Sequence, residues 1–207
     1  MKIKKLGHCC LVIEENGKRI MTDPGSYTVE EQAKEKNIDL ILITHEHGDH
    51  IHIESLKKIL VNNPDVKIIT NKGVGKLLDE AGIKYEVLEN KTPKNFLGVE
   101  LEAHDCKHEE IFEDLGQVQN TAYFIGQRLF YPGDAFYNPG KPVEVLALPV
   151  AGPWAKVKDF MKYILLVKPK ACFPVHDGML TSFVGSAYWV PEMLLPKFGI
   201  IFKTFAN

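Results

Sequence analysis

The chain has 207 residues, 45% of them hydrophobic and 25% charged, with a formal net charge of −2. That suffices for one well-buried domain, 1–207, and is short for two. The balanced charge supplies no long-range field for polyanions, so nucleic acid is not an expected partner, and no run approaches the roughly 20 apolar residues of a membrane span.

The four cysteines, Cys9, Cys10, Cys106 and Cys172, form no CxxC pair. Cys9 and Cys10 would face opposite sides of a strand, so a bridge between them would be strained. Free thiols in a reducing compartment are expected. The first apolar run stops at Glu14, too soon for a signal peptide, so the expected location is cytoplasmic, away from membranes.

In chain order, Ile3–Leu6, Cys10–Glu14 and Arg19–Thr22 read as strands, the last two joined by the turn-like Glu15-Asn16-Gly17. The continuous apolar run LILI between Asp39 and Thr44 is the pattern of a strand covered on both faces. Glu54–Val61 has helical spacing, Val66–Thr70 reads as a strand, Lys76–Ala81 as a helix ended by Gly82, and Tyr85–Leu88 as a strand. Val99–His104 alternates as a half-exposed strand, and Thr121–Ile125 with Arg128–Tyr131 brackets a Gly126-Gln127 hairpin turn. Val143–Val150 reads as a strand, Ala155–Val167 as a helix closed by Lys168-Pro169, Ala171–Val175 as a strand, and Ile200–Phe205 as one more. The alternation predicts a layered architecture of helices and mixed sheets.

Four of the eight histidines fall in the nine residues THEHGDHIH, Thr44 to His52. Backbone preference does not explain such a cluster. Other predicted strands also end in side chains able to bind metal: VELEAH leads to His104 and His108, RLFYPG to Asp134, and ACFPV to His176. In layered folds, groups beyond strand carboxyl ends converge. Residues two apart in extended chain face the same way, so His45 and His47 can grip one ion; Gly48 permits a turn that sends Asp49 and His50 toward a second. Imidazole with carboxylate suits zinc, and also iron or manganese.

THEHGDH matches the HxHxDH motif of the metallo-β-lactamase superfamily, and the chain resembles that family over nearly its whole length, with TDPG, YPGDA and FPVHDG in family order. The resemblance implies an α+β fold, a four-layer αββα sandwich, with a one- or two-metal site at one edge. It implies that His45, His47 and His108 hold one ion, that Asp49, His50 and His176 hold another, and that Asp134 bridges them. Zn2+ is the expected metal, with Mn2+ or Fe2+ as alternatives. Asp49 is also the expected catalytic group, orienting the nucleophile or shuttling its proton. His104 stands as the alternative third ligand to His108. Asp23 either sets the turn before Pro24-Gly25 or orients a histidine of the site. His8 is either a hydrogen-bonded structural residue or a neighbour of the site, as in lactonase-like members. His52 is expected to open the following helix and Cys106 to be a bystander thiol.

Trp154 is a candidate wall of the substrate pocket and Lys156 a contact for an anionic group, although packing at a helix start accounts for both equally well. Gly73-Val-Gly-Lys76 lacks the spacing of a nucleotide loop. The expected function is metal-dependent hydrolysis of a small ester, lactone or phosphodiester by a metal-bound hydroxide. The rivals are a phosphodiesterase or nuclease, and a non-catalytic metal-binding protein on the same fold. The apolar tail Ser182–Pro196 is a candidate subunit contact in a homo-oligomer, or ordinary core.

Overall fold

The fold, from a computed structural model describing residues 1–89, 91–181 and 185–205, is built from two sheets whose strands alternate between an inner and an outer face. The first sheet runs in chain order: β1 (Lys2–Gly7), β2 (Cys10–Glu15), β3 (Lys18–Thr22), β4 (Leu40–Leu42), β5 (Lys67–Thr70) and β6 (Glu86–Val87). Its first three strands pair antiparallel and the rest parallel. Among these strands come α1 (Val29–Gln32), α2 (Ile53–Asn62) and α3 (Lys72–Glu80).

The second sheet contains β7 (Lys94–Phe96), β8 (Val99–Lys107), β9 (Gln119–Ile125), β10 (Leu129–Tyr131), β11 (Val145–Pro149), β12 (Ala171–Val175) and β13 (Ile201–Phe202), laid side by side in reverse order. Helices α4 (Val157–Val167) and α5 (Ser186–Leu194) belong to this half.

The pleat of β4 shows why four layers form. Successive side chains point to opposite faces. Leu40 and Leu42 therefore enter the core between the sheets, with Leu11, Ile13, Tyr123, Tyr131 and Phe173. Ile41 and Ile43 face outward, onto Leu56 and Ile59 of α2 and Val74 and Leu78 of α3. On the other side, Phe124, Phe130, Leu146 and Leu148 carry Phe160 and Ile164 of α4 and Tyr188 of α5. The expected αββα sandwich is the fold observed, and no helix among the described residues is long and apolar enough to cross a membrane.

Boundaries differ where side chains cap helices. α3 begins at Lys72, four residues before the sequence pattern places it, because Asn71 accepts the Val74 amide at 3.0 Å. His52 opens α2 by accepting the Ser55 amide. Within the apolar tail, Ser182, Phe183 and Val184 lie outside the described residues. From Ser186 the tail forms α5, which buries Ala187 and Tyr188 and leaves Trp189 and Met193 exposed.

Candidate metal centre

The loops that follow β3, β4, β8, β10 and β12 begin at one edge of the sandwich. They carry Asp23, the segment from Thr44 to His50, His108, Asp134 and His176. Asp23, His8 and His176 hold left-handed backbone, with φ of 36°, 46° and 60°. Such strain in non-glycine residues persists only where the surroundings over-determine it.

The expected ligands fall in two groups, each with all members within 4.8 Å of one another: His45, His47 and His108, and Asp49, His50, Asp134 and His176. Asp134 stands between them. Its Oδ2 lies 3.3 Å from His108 Nε2 and 2.8 Å from His176 Nε2, and its Oδ1 lies 3.2 Å from His50 Nε2. His104, the alternative to His108, is elsewhere. It packs edge-on to Phe130 and tilted against Tyr137, and places Nε2 2.7 Å from Glu102.

Whether these residues fit a metal ion is decided by their hydrogen bonds. Asp23 Oδ1 accepts the Thr44 amide at 2.8 Å, and Oδ2 accepts the Thr44 hydroxyl at 2.8 Å and the Tyr131 hydroxyl at 2.6 Å. With its proton committed to Asp23, Thr44 Oγ1 can only accept from His45 Nδ1, at 2.9 Å. His50 Nδ1 donates to Asp23 at 2.7 Å, and His108 Nδ1 donates to the Glu109 carbonyl at 2.6 Å. When these imidazoles are neutral, as ligation requires, the network leaves Nε2 of all three unprotonated and turned to the cluster. Buried Nε2 atoms of His45, His50 and His176 and Oδ1 of Asp134 make no well-formed hydrogen bond. Orphaned buried groups of this kind are costly unless an ion satisfies them. The donor set, five imidazoles and two carboxylates, suits zinc, iron or manganese.

The electrostatics of the cluster centre on Asp134. Burial would raise the Asp134 carboxyl, but His50 and His176 hold it well below the ordinary range. Reciprocally, burial disfavours charge on His50 and His176, yet Asp134 outweighs it and raises both. His45 is lowered by burial and by its imidazole neighbours. Asp134 thus draws positive charge to its own position, as a bridging ligand requires. Asp49 is also held ionised: burial opposes this, and contacts from His176 and His8 prevail. Its side chain is 25% exposed against 3% for Asp134, which leaves it open to an incoming molecule.

His8 lies at the site. Its Nδ1 accepts the Gly178 amide at 3.0 Å, so Nε2 carries the proton and faces Asp49 Oδ2 at 3.2 Å. Tyr27 stacks on its ring at 4.2 Å. Trp154 sits over the centre, its ring 5.9 Å from that of His108 and 5.5 Å from that of His176. Lys156 is exposed where α4 begins and is not brought to the cluster. Cys106 packs on the outer face, hydrogen-bonded to Asn120, with its thiol pushed up to about 11 by burial. Sequence reasoning missed Thr44 and Tyr131, which share the Asp23 carboxylate, and it missed Cys9. Burial would raise the Cys9 thiol, but His50, His8 and His176 bring it down to about 7.

Two mixed sheets flanked by helices, with imidazoles and carboxylates gathered at their strand ends, define a metal-site αββα protein. The Beta-lactamase superfamily domain matches residues 2–176, and the chain belongs to the metallo-β-lactamase superfamily. It is 29% identical to Protein Rv0786c of Mycobacterium tuberculosis over 97% of this chain and 96% of that one. It is 28% identical to the UPF0173 metal-dependent hydrolase of Carboxydothermus hydrogenoformans, covering 85% of this chain and 84% of the relative. Among solved structures it resembles Igni18, a metallo hydrolase of Ignicoccus hospitalis, with a TM-score of 0.74 at 17% identity over 98% of this chain and 94% of that one.

Proposed function

We propose that the protein is a metal-dependent hydrolase of a small ester, lactone or phosphodiester, with Zn2+ as the working metal. The observation that carries this reading is the set of buried Nε2 atoms of His45, His50 and His176 that converge on Asp134 without a well-formed hydrogen bond. His45, His47 and His108 would hold one ion, Asp49, His50 and His176 a second, and Asp134 both. When bound, such ions supply an acidified water and polarise a carbonyl or phosphoryl oxygen. The protein's own contribution is orientation and proton transfer. Asp49, ionised and solvent-reachable, would align the attacking water and take its proton, while the Nε2 proton of His8 holds the carboxylate in place. Trp154 would shed water from the His108 and His176 side and wall the bound substrate.

A small substrate is favoured by the balanced charge, which supplies no extended field for a polyanion. The relative named a metal-dependent hydrolase supports the reaction class.

Elemental mass spectrometry on protein purified without added metal, followed by turnover of esters, lactones and bis-p-nitrophenyl phosphate, tests the reading. Bound zinc with turnover that falls at least about a hundredfold in His47→Ala and Asp134→Asn is expected. Failure to bind any metal would refute it, and stoichiometric metal without turnover of any panel member would favour a binding protein.

A further inference from the structure

Beneath the cluster, on the side facing the core, a second kind of donor reaches the same imidazoles. One ligand atom each of His8, Cys9, His50 and His176 lie within 4.8 Å of one another. This group shares His50 and His176 with the Asp49 and Asp134 group, but replaces both carboxylates by a thiol and an imidazole. We propose that Cys9 is a metal-binding thiol, forming with His50 and His176, backed by His8, a sulfur-containing position for a divalent ion of the zinc and cobalt class. The proposal rests on the reading that the histidine cluster binds divalent ions, and it assigns a ligand outside that set.

Three observations carry it. The first is direction. Cys9 and Cys10 are adjacent, yet Cys9 belongs to the core between the sheets and Cys10 to the outer layer against α2 and α3. Among the described residues, Cys9 alone of the four thiols falls in a group able to hold a metal. The second is positioning. The Cys9 carbonyl accepts the Thr22 hydroxyl at 2.9 Å and lies 2.9 Å from the Tyr131 hydroxyl, whose one proton is shared between it and Asp23. Tyr131 also bonds Asp23, so the thiol's backbone is tied to the carboxylate that orients His50.

The third is an unmet need. His176 is buried with neither ring nitrogen in a well-formed hydrogen bond, and His50 Nε2 is likewise without one. Ordinary apolar packing would account for a buried cysteine, but not for a thiol grouped with three imidazoles, two of which, His50 and His176, have orphaned nitrogens. A thiolate among imidazoles is a soft donor set, suited to zinc and cobalt and poorly suited to manganese or magnesium.

Cobalt titration of the chelator-stripped, full-length protein reads sulfur ligation directly. A thiolate bound to Co2+ gives a near-ultraviolet charge-transfer band that nitrogen and oxygen ligands do not. The expected result is a band that saturates with bound cobalt, persists in Cys10→Ser, Cys106→Ser and Cys172→Ser, and vanishes in Cys9→Ser while cobalt still binds. If Cys9→Ser does not fold, persistence of the wild-type band in the other three variants assigns it to Cys9 by exclusion. Cobalt bound without the band, or a band that survives Cys9→Ser or is lost in one of the other three, overturns the proposal and leaves the hydrolase reading standing. No cobalt bound at all overturns both.

Discussion

The Asp23 carboxylate accepts the Nδ1 proton of His50 at 2.7 Å, with both side chains fully buried. That contact and the bond from the Thr44 hydroxyl fix the tautomers of His50 and, through Thr44, of His45. One carboxylate therefore orients a ligand of each proposed metal position. It also accepts the turn-like backbone role expected of it, since the Gly25 amide bonds to its carbonyl at 2.8 Å.

Asp23→Asn separates the two roles. Asparagine tolerates the left-handed backbone at φ 36°, but its amide group must face at least one of the donors that the carboxylate accepts. Metal affinity is expected to fall about 10- to 100-fold, with a stability loss of about 1–3 kcal/mol. Competition against a chromogenic chelator measures the first and urea unfolding the second. Unchanged affinity would mean that Asp23 serves the turn alone.

Gly25 shows how closely the TDPG turn is pressed on the metal loop. A Cβ built there would lie 1.8 Å from the Asp49 carbonyl oxygen and 2.1 Å from its carbon. Because the obstacle is backbone, no rotamer relieves it, and Gly25→Ala must displace either turn or loop. The substitution should cost at least about 2 kcal/mol and lower metal stoichiometry, because Asp49 and His50 move with the loop. Elemental analysis of the folded fraction tests this. Full metal loading at wild-type thermal stability would show that the turn and loop are not in contact in solution.

The layers and most of the candidate ligands were legible in the chain because their signals are local. The unbroken apolar run Leu40, Ile41, Leu42 and Ile43 marks a strand covered on both sides, and His45, Asp134 and His176 each lie within three residues of a strand end, with His47 two residues beyond His45. The choice between His104 and His108 was not legible from periodicity, since residues four apart in a strand share a face. It is decided by length: β8 continues to Lys107, leaving His104 on the outer face and His108 at the edge. Strand β7 is short and polar apart from Phe96, and α5 contains Pro191, so each contradicts its own type. Cys9 and Tyr131 meet the site only through tertiary packing, which no spacing in the chain records, and Thr44, although it adjoins His45, shows its role only through its bond to Asp23.

Asp39 provides a pH dependence remote from the metal centre. Its carboxylate accepts the Lys18 ammonium at 2.9 Å and the Arg19 amide at 2.9 Å. Burial opposes ionisation, but the Arg19 amide and Lys18 together prevail, so the carboxyl is lowered from its ordinary value. A lowered folded-state value means stability that is fully present above the unfolded pKa, about 4, and lost as pH falls through the folded one. Asp39→Asn should cost about 1 kcal/mol at pH 7, with the gap to wild type closing at lower pH. Urea unfolding at pH 7 and pH 3 checks the sign. A gap that widens on acidification would contradict it.

Trp154 allows substrate contact to be separated from metal support. The ring is 9% exposed and touches Phe136 as well as the two histidines, so it contributes both packing and a wall. Trp154→Phe keeps an aromatic against Phe136 and withdraws surface from above the centre. If the ring walls the substrate, kcat/KM falls about tenfold, a loss of roughly 1.4 kcal/mol, while bound metal per chain stays constant. If it supports only the imidazoles, activity and metal content fall together and adding metal restores both. Kinetics at saturating metal beside elemental analysis of the same preparation distinguish the two, because a wall acts on the substrate even when every ligand is in place.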